Sequence, residues 1–192
     1  MATRQKVVAA ARQLFVEKGY TATTIGEIAQ TAGVALQSVY AAGGSKAELL
    51  VTVSDQAIAG DAREVPLAAR TNMQAVFAEK DPVARMRLFA DAICDIQERS
   101  APVQMAYREA AAVDTTVAEN LRQAHLRRWA MFGMVIDSFD DAALRMPKEE
   151  ARLTAWSIGS SEVWLLQVNV LGRAPADVRA WLGDSLVAAL VV

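Results

Sequence analysis

Two capping boxes, Thr24-Ile25-Gly26-Glu27 and Ser45-Lys46-Ala47-Glu48, constrain this chain more than any other feature. In each, a hydroxyl and a glutamate three residues on can bond each other's backbone amide, so each marks the start of a helix. Gly33 and the pair Gly43-Gly44 lie between the boxes, and glycine at such places ends helices. The interval therefore holds two short helices joined by a tight turn at Gly33-Val34-Ala35. Ile25, Ile28, Ala29 and Ala32 follow the first box at helical spacing. A longer helix leaves the second box through Leu49, Leu50, Val53 and Ala57. Ahead of both, Val7, Ala11, Leu14 and Phe15 share one face of a helix over about 2–18, with Gly19 at its left-handed C-cap.

A short helix, a glycine turn and a second short helix, packed on a first helix, make a helix-turn-helix. Its second helix enters the DNA major groove. Ile25, Ile28, Val34 and Val39 are expected to seal the pair inward. The exposed polar positions then carry the contacts. Gln37 can bond adenine in a bidentate way, and Ser38 can meet a base or a phosphate. Tyr40 can reach phosphate with its hydroxyl. Thr24, at a helix N-cap, stands beside free amides that also suit phosphate. Lys46 faces the positive end of its own helix, so a phosphate there would reverse an unfavourable charge, and it is read as an anchor. Charge agrees mildly. Residues 1–50 hold Arg4, Lys6, Arg12, Lys18 and Lys46 against Glu17, Glu27 and Glu48, while the whole chain of 192 residues has net charge −2.

Downstream, helical spacing continues and strand-like alternation is absent. The expected helices are 66–79, 82–99, 102–112, 115–139, 148–171 and 175–191, with breaks at Asp81-Pro82, Ala101-Pro102, Asp114, Met146-Pro147 and Gly172 to Pro175. The fold class is all-α, with a three-helix DNA-binding domain over 1–46 and a larger helical bundle over 47–192.

Residues 9–50, from Ala9-Ala10-Ala11-Arg12-Gln13-Leu14-Phe15 through Gly19-Tyr20, Thr23-Thr24-Ile25, Ile28-Ala29, Ala32-Gly33-Val34 and Val39-Tyr40 to Lys46, resemble the tetracycline-repressor (TetR) family. The resemblance covers about a quarter of the chain. It implies a transcriptional regulator, expected to be a repressor, that binds a palindromic double-stranded DNA operator as a homodimer; the single cysteine and the lack of an apolar leader or membrane span separately suggest a cytoplasmic place. It also implies release by a small molecule bound in the C-terminal domain. Two departures stand out. Ala35 replaces the usual capping Ser or Thr, and Ala41-Ala42-Gly43-Gly44 replaces an aromatic pair, which should loosen packing after the recognition helix. Ala41 and Ala42 could offer only apolar contacts, for example to thymine methyls.

In the larger domain, bulky residues at interior spacing could line an effector site for an apolar or aromatic molecule. Leu121, His125, Trp129, Phe132 and Ile136 share a face of one helix, and Trp156, Ser160, Trp164 and Gln167 a face of the next. Met105, Tyr107 and Arg108 lie on the shorter helix before them. His125, Tyr107 or Gln167 would orient the ligand. An aromatic stripe at this spacing equally suits a plain core, and His125 an ordinary interior histidine. Pairing of two chains is expected through Ala155, Gly159 and Ser160 and through Val178, Trp181, Leu182, Leu186, Ala189 and Leu190 of the last helix.

Nothing points to an enzyme. There is no phosphate-binding glycine loop and no metal-ligand spacing, and the single histidine excludes a histidine cluster. No catalytic residue, cofactor or metal is expected, although a Ser/His/Asp set assembled only in space stays open. Cys94, the one cysteine, suits a reducing compartment and a buried apolar role. No apolar run approaches the roughly 20 residues that span a bilayer, and the opening residues lack the apolar centre of a signal peptide, so no membrane partner is expected. The alternative function is a helical adaptor that binds protein with the same fold.

Overall fold

The computed structural model describes residues 2–63 and 65–192. The helices are α1 (Ala2–Ala22), α2 (Ile25–Ala32), α3 (Leu36–Gly43), α4 (Lys46–Ala59), α5 (Thr71–Ala78), α6 (Pro82–Ala111), α7 (Thr115–Asp137), α8 (Lys148–Ile158), α9 (Ser161–Leu165) and α10 (Pro175–Leu190). Among the described residues the extended pairing is a single isolated bridge between Leu144 and Val191. The fold is all-α. No helix of the described residues is long and apolar enough to cross a membrane.

Two compact units share the chain. The first takes the residues up to Ala62 together with Arg99–Ala124, and the second takes Arg63–Glu98 and His125–Val192.

In the first unit the predicted faces close on one another. Val7, Ala11, Leu14 and Phe15 of α1, Ile28 and Ala29 of α2, Val39 of α3, and Leu49, Leu50, Val53 and Ala57 of α4 are buried together. Ile25 and Val34 pack partly buried against them. The same core draws in Val103, Ala106, Tyr107, Ala110 and Val117, which the sequence does not reveal as partners of the N-terminal helices. Gly33 caps α2 at φ 65, ψ 39 and donates its N–H to Gln30, which turns the chain into α3. Gly19 also has positive φ, but with ψ 171 rather than the helical cap conformation expected.

Pro102 does not break its helix. α6 runs unbroken from Pro82 to Ala111, with Pro102 exposed inside it. A proline removes one N–H and crowds one carbonyl, a cost that the packing of neighbouring side chains outweighs here. The expected 148–171 helix does break, at Gly159-Ser160. Ser160 caps α9 by accepting the Val163 N–H, and α9 passes into a π-helical turn over Leu166–Val170. The expected 66–79 helix is a 3-10 turn, Leu67–Ala69, followed by α5.

In the second unit, Val178, Leu182, Leu186 and Leu190 of α10 are buried within the chain. Ala155 and Gly159 are buried as well, and a Cβ on Gly159 would meet Ile93 at 3.2 Å. Gly159, at the end of α8, thus admits Ile93 of α6. Gln97 completes this contact by donating to the Gly159 carbonyl at 2.9 Å.

Candidate nucleic-acid interface and aromatic cluster

α3 shows two faces. Val39 is fully buried, while Gln37 and Ala41 are exposed and Leu36 and Tyr40 are 48% and 53% exposed. Positions 36, 37, 40 and 41 form one helical face, directed away from the core. Ser38 is half-buried beside that face, and Ala42 packs against the core instead of joining it. Leu36 is missed from sequence because a leucine at helical spacing reads as core. As expected, Ala35 provides no side-chain cap to α3. Gly43 departs from expectation. A Cβ there would overlap Leu49 Cδ2, so α3 closes tightly on α4 where loosening was predicted.

Thr24 sits at the N-cap of α2, and both halves of its capping box are formed. Its hydroxyl accepts the Glu27 N–H at 3.2 Å and donates to the Glu27 carboxylate at 3.0 Å. Lys18 Nζ donates to the same carboxylate at 2.7 Å. Together these hold the Glu27 carboxyl at about 2, well below its ordinary value, with the Lys18 hydrogen bond the largest cause. At this helix end the Thr24 N–H already donates to the Glu27 carboxylate, at 2.9 Å.

Lys46 is turned inward. Its Nζ donates to the carbonyls of Tyr20 and Thr23, each at 2.9 Å, and lies 4.1 Å from the Tyr20 ring centroid. Two backbone carbonyls at the α1–α2 corner thus place negative partial charge beside the Lys46 ammonium. Burial lowers the Lys46 pKa, against the attraction of Glu109 and Asp114. Glu109 closes the corner from α6 by accepting the N–H groups of Thr21 at 2.9 Å and Tyr20 at 3.3 Å. The Tyr20 hydroxyl donates to Asp114 at 3.4 Å. Neither acid is legible in sequence as a partner of this corner, since each lies some ninety residues from the groups it meets.

The residues expected around an effector are divided between the two units. Tyr107 is buried in the first unit's core, Met105 is 53% exposed, and Arg108 is half-buried. In the second unit, His125, Trp129, Phe132 and Trp156 do meet. The Trp129 and Trp156 rings stand edge to face with centroids 6.0 Å apart, and His125 is edge-on to Trp156 at 6.3 Å. Phe132 is buried edge-on against Phe89 at 4.9 Å. Trp164 and Gln167 are also buried, and Gln167 accepts from the Arg173 guanidinium. Two arginines not foreseen join the aromatics. Arg128 lies 4.5 Å from the Phe132 centroid and 5.0 Å from that of Trp156, and Arg152 lies 3.9 Å from that of Trp129. Among the described residues, no group of three or more His, Cys, Asp or Glu is placed to hold a metal ion.

Residues 7–53, which span the helix-turn-helix and the start of α4, match the family model for bacterial regulatory proteins of the tetR family. The N-terminal segment is of the tetR family. DNA binding through the helix-turn-helix, and transcription regulation, are the activities of the family that this segment matches. The fold extends beyond the matched segment. A TetR-family transcriptional regulator from Syntrophomonas wolfei superposes with TM-score 0.75 at 16% identity, covering 96% of this chain and 92% of that one. A TetR transcription regulator from Haloarcula marismortui gives 0.72 at 18% identity, with 98% of each chain covered. A transcriptional regulator from Saccharomonospora viridis, in complex with choline, gives 0.73 at 15% identity and covers 98% of this chain and 97% of that one. At these identities the likeness is one of fold. No curated protein matches the chain in sequence.

Proposed function

We propose that this TetR-type chain is a repressor that binds a palindromic operator as a homodimer, through the α3 face of Leu36, Gln37, Tyr40 and Ala41. The observation that carries this is the pairing of that exposed face with a matched tetR-family segment. Gln37 reads a base edge, Leu36 and Ala41 offer apolar contact to thymine methyls, and Tyr40 and Ser38 meet the backbone. Thr24 and Lys46 act mainly by holding the α1–α2 corner that orients α3. In this reading residues 1–46 read DNA, and residues 47–192 pair the chains and sense a small molecule in the cytoplasm. The choline complex of the Saccharomonospora viridis regulator is a precedent for a small molecule in this fold. Exposed Leu153, Leu166, Val170 and Leu171 supply apolar surface for pairing.

The test is a gel shift against the DNA around the chain's own gene and against a random operator pool, with a salt titration. A sequence preference and a steep fall in affinity with salt are expected. Absence of binding to both DNAs favours the adaptor reading.

A further inference from the structure

The aromatic cluster of the second unit already contains its own cations. Arg128 stacks on Phe132 and Trp156, and Arg152 on Trp129. Arg152 is well satisfied, because Nε and Nη2 both donate to the Trp129 carbonyl, at 2.9 and 2.5 Å. Gly133 makes room for it; a Cβ there would stand 2.7 Å from the Arg152 Cζ. Arg128 is different. Of the five N–H groups a guanidinium carries, only one, on Nη2, makes a hydrogen bond within the described residues, to the Trp156 carbonyl at 2.5 Å. No carboxylate of the described residues forms a salt bridge with it. Glu162 attracts it only from beyond that range. Burial pushes its pKa down to about 10. Beside it, the indole Nε1–H of Trp156 is buried with no hydrogen-bond partner. One half-buried cation with no ion-pair partner and one orphaned donor on a neighbouring side chain both lack the same thing, an acceptor with negative charge.

We propose that Arg128 and the Trp156 indole N–H bind the acidic group of a small organic carboxylate, whose apolar or aromatic body lies along His125, Trp129 and Trp156. This rests on the effector reading above and sets its chemical class. The same cluster disfavours a quaternary ammonium ligand, because the ring faces such a cation would use already carry guanidinium groups.

The experiment measures thermal shift and operator binding of the full chain with a panel of straight-chain and aromatic carboxylates, including benzoate, beside choline and benzyl alcohol. Carboxylates should stabilise the wild type and release operator, while choline and benzyl alcohol should do neither. Arg128→Met should weaken carboxylate binding by about tenfold or more, the equivalent of one charge-assisted hydrogen bond. Trp156→Phe keeps the ring but removes the donor, and should weaken binding by a smaller factor. It serves as the control should Arg128→Met fold poorly. Response to choline or benzyl alcohol alone, response to no member of the panel, or an unchanged carboxylate affinity in Trp156→Phe and folded Arg128→Met overturns the proposal. Carboxylate binding lost in the variants but without effect on operator affinity would keep the site and overturn the effector reading.

Discussion

The Glu109 carboxylate of α6 accepts the backbone N–H of Thr21 at 2.9 Å, across 88 residues of sequence. It thereby ties the end of α1 to a helix that the sequence assigns to another region. Lys46 ties the same corner from α4.

Glu109→Gln tests the acid side of this tie. The hydrogen bond from Thr21 is the main cause that lowers the carboxyl's pKa from 4.5. A lowered folded value means the contribution is complete above an unfolded glutamate's pKa and is lost as pH falls through the folded one. Wild type should therefore lose a stability increment below about pH 4.5 that Glu109→Gln lacks, with the variant less stable at neutral pH. Thermal melts at neutral and acidic pH would show converging curves; curves that stay parallel would exclude this role.

Gly19→Ala should destabilise the first unit by roughly 1–3 kcal/mol, because φ 80 with ψ 171 is a region nearly reserved for glycine. A Cβ would also overlap Glu109 Oε2 and disturb the same tie. Denaturant titration measures the destabilisation, and wild-type stability in the variant would refute it.

Lys46→Met separates a staple from a phosphate anchor. A staple leaves two half-buried carbonyls poorly paired, at a cost of about 1–3 kcal/mol of stability, and lowers affinity for every DNA alike without changing the salt dependence. An anchor would instead reduce the log–log salt slope by about 0.9, the share of one phosphate that Lys46 no longer neutralises. The staple result is expected.

Gln37→Ala should leave stability unchanged and relax preference at one base pair, by about 1–3 kcal/mol. Binding to single-base operator variants reads this out, and an unchanged preference profile would move the reading face elsewhere.

Cys94 is fully buried, and burial raises its pKa to about 11. Thiol reagents at mildly alkaline pH should label it only as fast as the protein unfolds. Rapid labelling of the native chain would contradict this burial.

Much of the first unit is legible in sequence because its signals are local. Capping boxes, Gly33 and the spacing of Val7, Leu14 and Ile28 each act within a few residues. Features that cross the chain are not legible. Pro102 reads as a break since its effect on the backbone is local, while the packing that keeps α6 helical there is distant in sequence. Tyr107 is buried in the first unit's core, a placement that its spacing along the helix does not reveal. Arg128 and Arg152 escape notice since arginine on a helix usually faces water, and their neighbours' indole rings are apparent only in three dimensions. The small residues Ala155 and Gly159 announce a close approach correctly, but the partner is Ile93 of the same chain.

The fit of Leu49 against Gly43 bears on how this chain can vary. Leu49 occupies the volume that any side chain at 43 would need. A substitution that restores bulk at 43 alone would therefore force the buried Leu49 side chain to shift. The two positions are thus coupled, and a change at either one alters what the other can hold.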